Sequence, residues 1–298
     1  MRGRAPPRPS RASDVDTDRQ AHEGDAGPAR AGAQRVDVRV RRAGTLAQAE
    51  DWLADEVPVA LIFNGISHAV MLATPLDLED FALGFGLTEG LLERADELYG
   101  VDVVDDPAGL RVEMDVASAC FARLKDRRRS LAGRTGCGLC GTESLEQVEP
   151  PLRPLEGGAL PLSPPAIAAA LRELPSHQAL QQRTGATHAA AWCSPDGRVQ
   201  LVREDVGRHN ALDKLVGAMV ESGVDPRDGF CCITSRASVE MVRKAVAAGI
   251  TALVAVSAPT ARAVDTARRA GLALAGFARR DDLVLYSDAD RFGNPTLS

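Results

Sequence analysis

At 298 residues, with 45% hydrophobic, 26% charged and only 4% aromatic residues, the chain has the composition of a globular protein whose core is built from Leu, Val, Ala and Ile. Its net charge of −6 excludes nucleic-acid binding through bulk charge, and no stretch reaches the roughly 18 uninterrupted apolar residues of a membrane span. The length predicts two compact units and a tail.

Residues 1–35 carry seven arginines and five acids with almost no large apolar side chain, which predicts a disordered tail. Its arginines are followed by acids and no apolar run, so neither a secretion signal nor a transit peptide is expected, and the compartment expected is the reducing cytoplasm. Val36, Val38 and Val40 alternate with charged residues as in an edge strand. VPVALIFNGISHAVMLAT places two alternating apolar runs around Asn64-Gly65, a strong hairpin signal. Asp77 opens a helix with Leu78, Phe81, Ala82 and Phe85 at helical spacing, and short strands follow near 101–105 and 109–115. Residues 119–135 are basic and predicted helical, 136–143 form a Cys loop, and the Pro- and Gly-rich stretch 149–164 reads as a linker.

Ser163-Pro164-Pro165 then begins a helix, with a cap residue followed by proline in the first turn. HAAAWC and RVQLV flank Pro195-Asp196-Gly197 as strands, and HNALDKLVGAMV is helical. FCCIT, TALVAVS, LALAGFA and LVLYS read as further strands; SVEMVRKAVAAG and PTARAVDTARRAG are helices, the latter with Pro259 inside its start and Gly271 past its end. This strand–helix alternation predicts parallel strands with helices on both faces.

The six cysteines are Cys120, Cys137, Cys140, Cys193, Cys231 and Cys232. Cys137 and Cys140 stand in RTGCGLCGTE, a spacing that suits structural zinc, a thioredoxin-like dithiol or a mobile thiol carrier. Zinc wants two more ligands, and adjacent Cys231 and Cys232 on a strand point to opposite faces, so no structural metal is expected. Gly136, Gly138 and Gly141 disfavour a helix start and give the backbone free reach, as a carrier requires. Arg134 and Arg127, Arg128 and Arg129 would draw the Cys137 thiol from about 8.5 toward about 7, or simply form a solvated face.

TGCGLCGTESLE, EVPVALIFNGISHAVMLATP, DLEDFALGFGLTEG, TGATHAAAWC, REDVGRHNALDKL, TSRASVEMV, AVSAPTARAVDTA and GLALAGFAR together resemble the formate dehydrogenase accessory sulfurtransferases, the FdhD/NarQ family, from about residue 37 to about residue 290. The resemblance implies an α/β fold in which a smaller α+β domain (36–132) is joined by a mobile Cys-x-x-Cys loop (133–143) and a linker (144–164) to a cytidine deaminase-like layered domain (165–298). It implies a sulfurtransferase that takes sulfur from a cysteine desulfurase as a persulfide on Cys137. That sulfur passes to molybdenum bis(guanine dinucleotide) before the cofactor enters the formate dehydrogenase catalytic subunit. Cys140 matches the second loop cysteine, and the family's cofactor-contacting stretch maps onto Phe277, Ala278, Arg279, Arg280, Asp281 and Asp282. Family habit and the apolar helices predict a homodimer that binds neither nucleic acid nor membrane. The rival reading is a non-catalytic chaperone for the same cofactor; a general dithiol oxidoreductase is disfavoured by the glycine-rich loop.

Such a cofactor is anionic, and α/β sheets hold anions beyond the strands' carboxyl ends, at helix N-termini. Two turns fit: Thr234-Ser235-Arg236, and the turn from Ser257 to Thr260, each offering hydroxyls and backbone N–H groups or, equally, ordinary helix caps. His209 and Asp213, one helical turn apart, are an acid–base or orienting pair or a structural bridge. Neither His-x-Glu nor Pro-Cys-x-x-Cys occurs, so deaminase chemistry is not expected. Glu89 either lines a domain interface or faces water, and His68, His188, Cys231 and Cys232 read as structural.

Overall fold

The computed structural model describes residues 31–131, 152–156 and 160–293. The expected Cys loop, with Cys137, Cys140 and Arg134, and residues 1–30 of the expected tail lie outside the described residues, as do the side chains of Arg127, Arg128 and Arg129.

The first described element is an antiparallel ribbon of β1 (Ala33–Arg42) and β2 (Thr45–Ala54). β1 starts at Ala33, inside the segment expected to be tail, because Ala33 through Arg35 pair with Ala54 through Trp52. The alternating valines are thus a strand, and β2 is a partner that its polar sequence does not announce.

β3 (Val57–Phe63) and β4 (Ile66–Ala73) form the hairpin expected at Asn64-Gly65. Both turn residues have positive φ, 44° and 77°, which is why Asn and Gly occupy a two-residue loop there. With β5 (Leu98–Asp106) and β6 (Gly109–Val116) they make a four-stranded sheet ordered β4-β3-β6-β5. Helix α1 (Leu78–Thr88) is apolar almost all round and buried on nearly every side. Leu78, Phe81 and Phe85 join Val59, Leu61, Val112 and Met114 of the sheet in one core, which Leu124 of α2 (Ser118–Leu131) closes.

Farther along the chain, Leu155 N–H bonds to Ala270 O at 2.9 Å, and Leu162 is buried. Helix α3 (Pro164–Glu173) is capped as expected: Ser163 Oγ accepts from Ala166 N–H at 3.1 Å, and proline occupies the first turn, where its missing N–H costs nothing. The short α4 (Ala179–Thr184) ends at Gly185 in the left-handed region.

A six-stranded sheet follows, ordered β12-β11-β10-β9-β7-β8, from β7 (His188–Cys193), β8 (Val199–Asp205), β9 (Phe230–Ile233), β10 (Ala252–Ala255), β11 (Ala273–Arg279) and β12 (Asp282–Ser287). It is mixed, which corrects the all-parallel expectation. β7 is antiparallel to both β8 and β9, and β12 is antiparallel to β11. The tight turns after β7 and β11 permit only antiparallel neighbours, and strand–helix alternation holds only from β8 to β11.

Helices α5 (Arg208–Glu221), α6 (Val239–Ala247) and α7 (Ala261–Ala270) pack with Leu212, Leu215, Met241 and Ala267 on one face of this sheet. Ile167 and Ala170 of α3, with Phe292, cover the other. The expected N-terminal boundary of α7 also shifts: Thr260 is its cap, accepting from Ala263 N–H at 3.3 Å, and Pro259 precedes the cap.

Candidate functional site

Because β7 reverses between β8 and β9, strands β8, β9, β10 and β11 all run the same way. Their carboxyl ends, and the N-termini of α5, α6 and α7, therefore share one edge of the sheet. Backbone bonds stitch the turns along it: Val256 N–H to Ile233 O at 3.0 Å, Thr260 N–H to Ala237 O at 3.0 Å, and Phe277 N–H to Ser257 O at 3.1 Å. Three parallel helix N-termini give this edge a positive field, and exposed Arg236 and Arg279 add to it.

The expected residues do different jobs here. Thr234 Oγ1 accepts from Ala189 N–H at 2.9 Å and extends the β7–β9 pairing. Ser235 is buried, its hydroxyl donating to Arg236 O at 3.1 Å. Thr260 is committed to its cap, whereas Ser257 is partly exposed and uses its carbonyl toward Phe277. Phe277 is 46% exposed with φ of 50°, at a register shift between β11 and β12. A bulky side chain in the left-handed region is rare, and this bulge turns the ring outward at the strand end. Ala278 is buried, and Arg279 Nε donates to Val256 O at 3.4 Å. Arg280 makes the turn with φ of 55°, Asp281 pairs with Arg172 at 3.1 Å, and Asp282 starts β12 across from Arg279.

Behind this edge lies a polar network between α1, β4 and the helices of the six-stranded sheet. Lys214 and Asp205 form a fully buried ion pair at 2.7 Å. Lys214 also donates to Thr74 O at 2.9 Å, while Asp205 accepts from the N–H groups of Thr74 and Gly207 and from Asn210. Lys244 donates to Asp213 at 2.9 Å, to Glu89 at 2.7 Å and to Thr88 Oγ1 at 3.0 Å. Burial raises the pKa of Asp213 although Lys244 opposes it. Burial also works against the charge on Lys244, but Asp213 and Glu89 more than offset it and raise its pKa, so the ammonium persists.

His209, in the first turn of α5, has its Nε2 buried with no hydrogen-bond partner among the described residues. Burial, then Arg208 and Lys244, lower its pKa to about 4 against the opposing pull of Glu240 and Glu89. The unfolded ring takes up a proton near pH 6.5 and the folded ring resists until about 4, so this group removes stability as pH falls through that window and none above it. We expect His209→Gln to flatten the loss of thermal midpoint between pH 7 and pH 5 relative to the unmodified chain; identical slopes would contradict this.

A family model for the FdhD/NarQ family matches residues 54–293. The chain belongs to the FdhD/NarQ family. Relatives named sulfur carrier protein FdhD include one from Variovorax paradoxus (strain S110), 61% identical over 255 residues that cover 86% of this chain and 91% of that protein. Another, from Cupriavidus necator, is 57% identical over 250 residues, covering 84% and 86%. In fold, the chain is similar to the crystal structure of a Desulfotalea psychrophila protein assigned as a formate dehydrogenase accessory protein, with a TM-score of 0.69 at 23% identity, over 87% of this chain and 99% of that one.

In this FdhD/NarQ chain the structure gathers Thr234 to Arg236, Ser257 to Thr260 and Phe277 to Arg279 along one edge, and it separates His209 from Asp213, whose carboxylate goes to Lys244 and Thr88. Glu89 proves to be an inter-helix partner of Lys244. Cys231 and Cys232 are buried core thiols: burial pushes the first pKa up, and a bond with Cys193 followed by burial raises the second. Sequence reasoning missed the network around Lys214 and Lys244. The signal was compositional: lysine occurs only at 125, 214 and 244 in an arginine-rich chain. Lys214 and Lys244, the two whose side chains are described, are both buried, where a compact ammonium fits better than a guanidinium fork.

Proposed function

We propose that this protein is a sulfur carrier that receives sulfur from a cysteine desulfurase as a persulfide on Cys137. It passes that sulfur to a molybdenum bis(guanine dinucleotide) substrate before the substrate enters the formate dehydrogenase catalytic subunit. The observation that carries the reading is the strand-end edge, in a chain whose relatives are named sulfur carriers: three helix N-termini, Arg236 and Arg279 converge where an anionic nucleotide arm would lie, and the Phe277 ring stands ready to stack on a base.

In the first step the Cys137 thiolate attacks the terminal sulfur of the donor persulfide, forming Cys137–S–S⁻ and releasing the donor thiol. In the second, the Cys140 thiolate attacks the inner sulfur of the Cys137 persulfide. The terminal sulfur takes a proton from water and leaves as hydrosulfide with the S–S bonding pair, and the two cysteines become a disulfide that a cellular thiol reductant reopens before the next cycle. Ser257, Arg236 and Arg279 hold phosphate oxygens, and Phe277 orients the base. The same reading takes the six-stranded sheet as a cytidine deaminase-like layer and the protein as a cytoplasmic homodimer.

Intact mass after incubation with a cysteine desulfurase and cysteine tests the carrier. We expect a gain of one sulfur atom that Cys137→Ala abolishes. A wild-type chain that gains no sulfur yet binds guanine nucleotides would replace the carrier by a non-catalytic cofactor chaperone.

A further inference from the structure

The ribbon of β1 and β2 ends where the family match begins, at residue 54. Its base is fixed to the body of the protein. Ala33 is buried, Asp55 N–H bonds to Gly32 O at 2.9 Å, and the Arg183 guanidinium of α4 lies 4.7 Å over the Trp52 ring. From there the ribbon projects, with every residue from Arg41 to Glu50 exposed. Directly paired residues share a face, so Val36, Val38 and Val40 stand with Ala49 and Ala47 on one side, while Arg35, Asp37, Arg39 and Arg41 stand on the other. The polar side carries the Arg35–Glu50 ion pair and suits water. A two-stranded ribbon is marginally stable by itself, so the valine side calls for a surface to lie on.

The outer face of the four-stranded sheet offers such a surface. Pro58, Ala60 and Ile62 of β3 alternate with core residues and point outward, beside Val70 and Leu72 of the edge strand β4, which are 62% and 56% exposed. On β5 and β6 the same face turns acidic, with Asp102 across from Glu113 and exposed Asp115 nearby, and Arg111 is paired with Glu113 at 3.0 Å. The ribbon's far end is basic, with exposed Arg39, Arg41 and Arg42, and Arg42 shares the valine side. From Val36 to Arg42 the ribbon spans about 20 Å, enough to cross four strands spaced about 4.8 Å apart. Within one chain that face stays open, as the exposure of Val70 and Leu72 shows. Resting on the homodimer proposed above, we infer that the ribbon is a dimerisation arm that lies on the four-stranded sheet of a second copy. Its valines cover Ala60, Ile62, Val70 and Leu72, and Arg42 at its tip meets Asp102 and Glu113. Two-fold symmetry makes the contact twice, arm on face in each direction.

The test is sedimentation equilibrium on the full chain, on an arm variant (Val38→Lys with Val40→Lys), on a face variant (Val70→Glu with Leu72→Glu) and on the two variants mixed in equal amounts. None of the four side chains is fully buried, so both variants keep the fold. Should a double variant lose its thermal transition, the single substitutions Val40→Lys and Leu72→Glu carry the same test. We expect a wild-type dimer, and in each variant a dissociation constant raised about a hundredfold or more, because unpaired charge is pressed onto apolar surface. The mixture should recover the dimer, since one contact is then native and the other sets lysines against glutamates. Variants that dissociate and stay monomeric when mixed overturn the docking of arm on face. A wild-type dimer that neither variant loosens overturns the arm and leaves the homodimer standing. A wild-type monomer overturns both.

Discussion

Replacing Gly217 with alanine is expected to lower stability by about 3 kcal/mol, with Gly84→Ala close behind. The two glycines lie where α1 and α5 cross, and each faces the other helix's backbone. A Cβ on Gly84 would overlap the carbonyl oxygen of Asp213, and one on Gly217 would overlap that of Asp80. Neither obstacle is a side chain that can rotate away, so the helices must part. Parting also strains Thr88–Asp213 at 2.6 Å, which spans the same crossing, and Arg203–Asp80 at 2.7 Å, which ties α1 to β8. Because one displacement relieves both overlaps, the double substitution should cost less than the sum of the singles. Denaturant midpoints read the effect; a Gly217→Ala loss under about 1 kcal/mol would mean the crossing is looser than described.

Lys214→Met is the second large effect, at about 3–5 kcal/mol. The methionine fills similar space, so the loss measures the charge left behind on Asp205 and not a cavity. Asp205 is fully buried and also holds the N–H groups of Thr74 and Gly207, and so cannot turn toward water without releasing them. Lys214→Arg should rescue little, since the fully enclosed site leaves no room for a planar fork. Retention of wild-type stability by Lys214→Met would show that Asp205 is satisfied by its backbone donors alone.

These two sites also mark the limit of what could be read in advance. Local chemistry was legible: Asn64-Gly65 announced its hairpin, Ser163-Pro164 its cap, and Gly271 its helix stop, with φ of 70°. Each depends on a few adjacent residues. The strand-end edge was legible only in part, because hydroxyls just after an apolar strand serve helix caps as well as anions, and Thr260 is such a cap. What stayed hidden joins distant stretches. Thr74 meets Asp205 and Lys214 across more than a hundred residues, and no periodicity reports that. The antiparallel pairing of β7 with β8 was legible in the tight Pro195-Asp196-Gly197 turn, whereas the antiparallel pairing of β7 with the distant β9 was not.

The shared direction of β8 through β11 also divides the molecule into a working rim and an opposite rim. On the opposite rim the connections between Ser222 and Arg227, and at Gly249 and Gly271, are turns removed from every strand-end residue discussed above. An affinity handle, a fluorophore or a circular-permutation joint placed between Ser222 and Arg227 would therefore report on the protein while standing a full strand length from its chemistry.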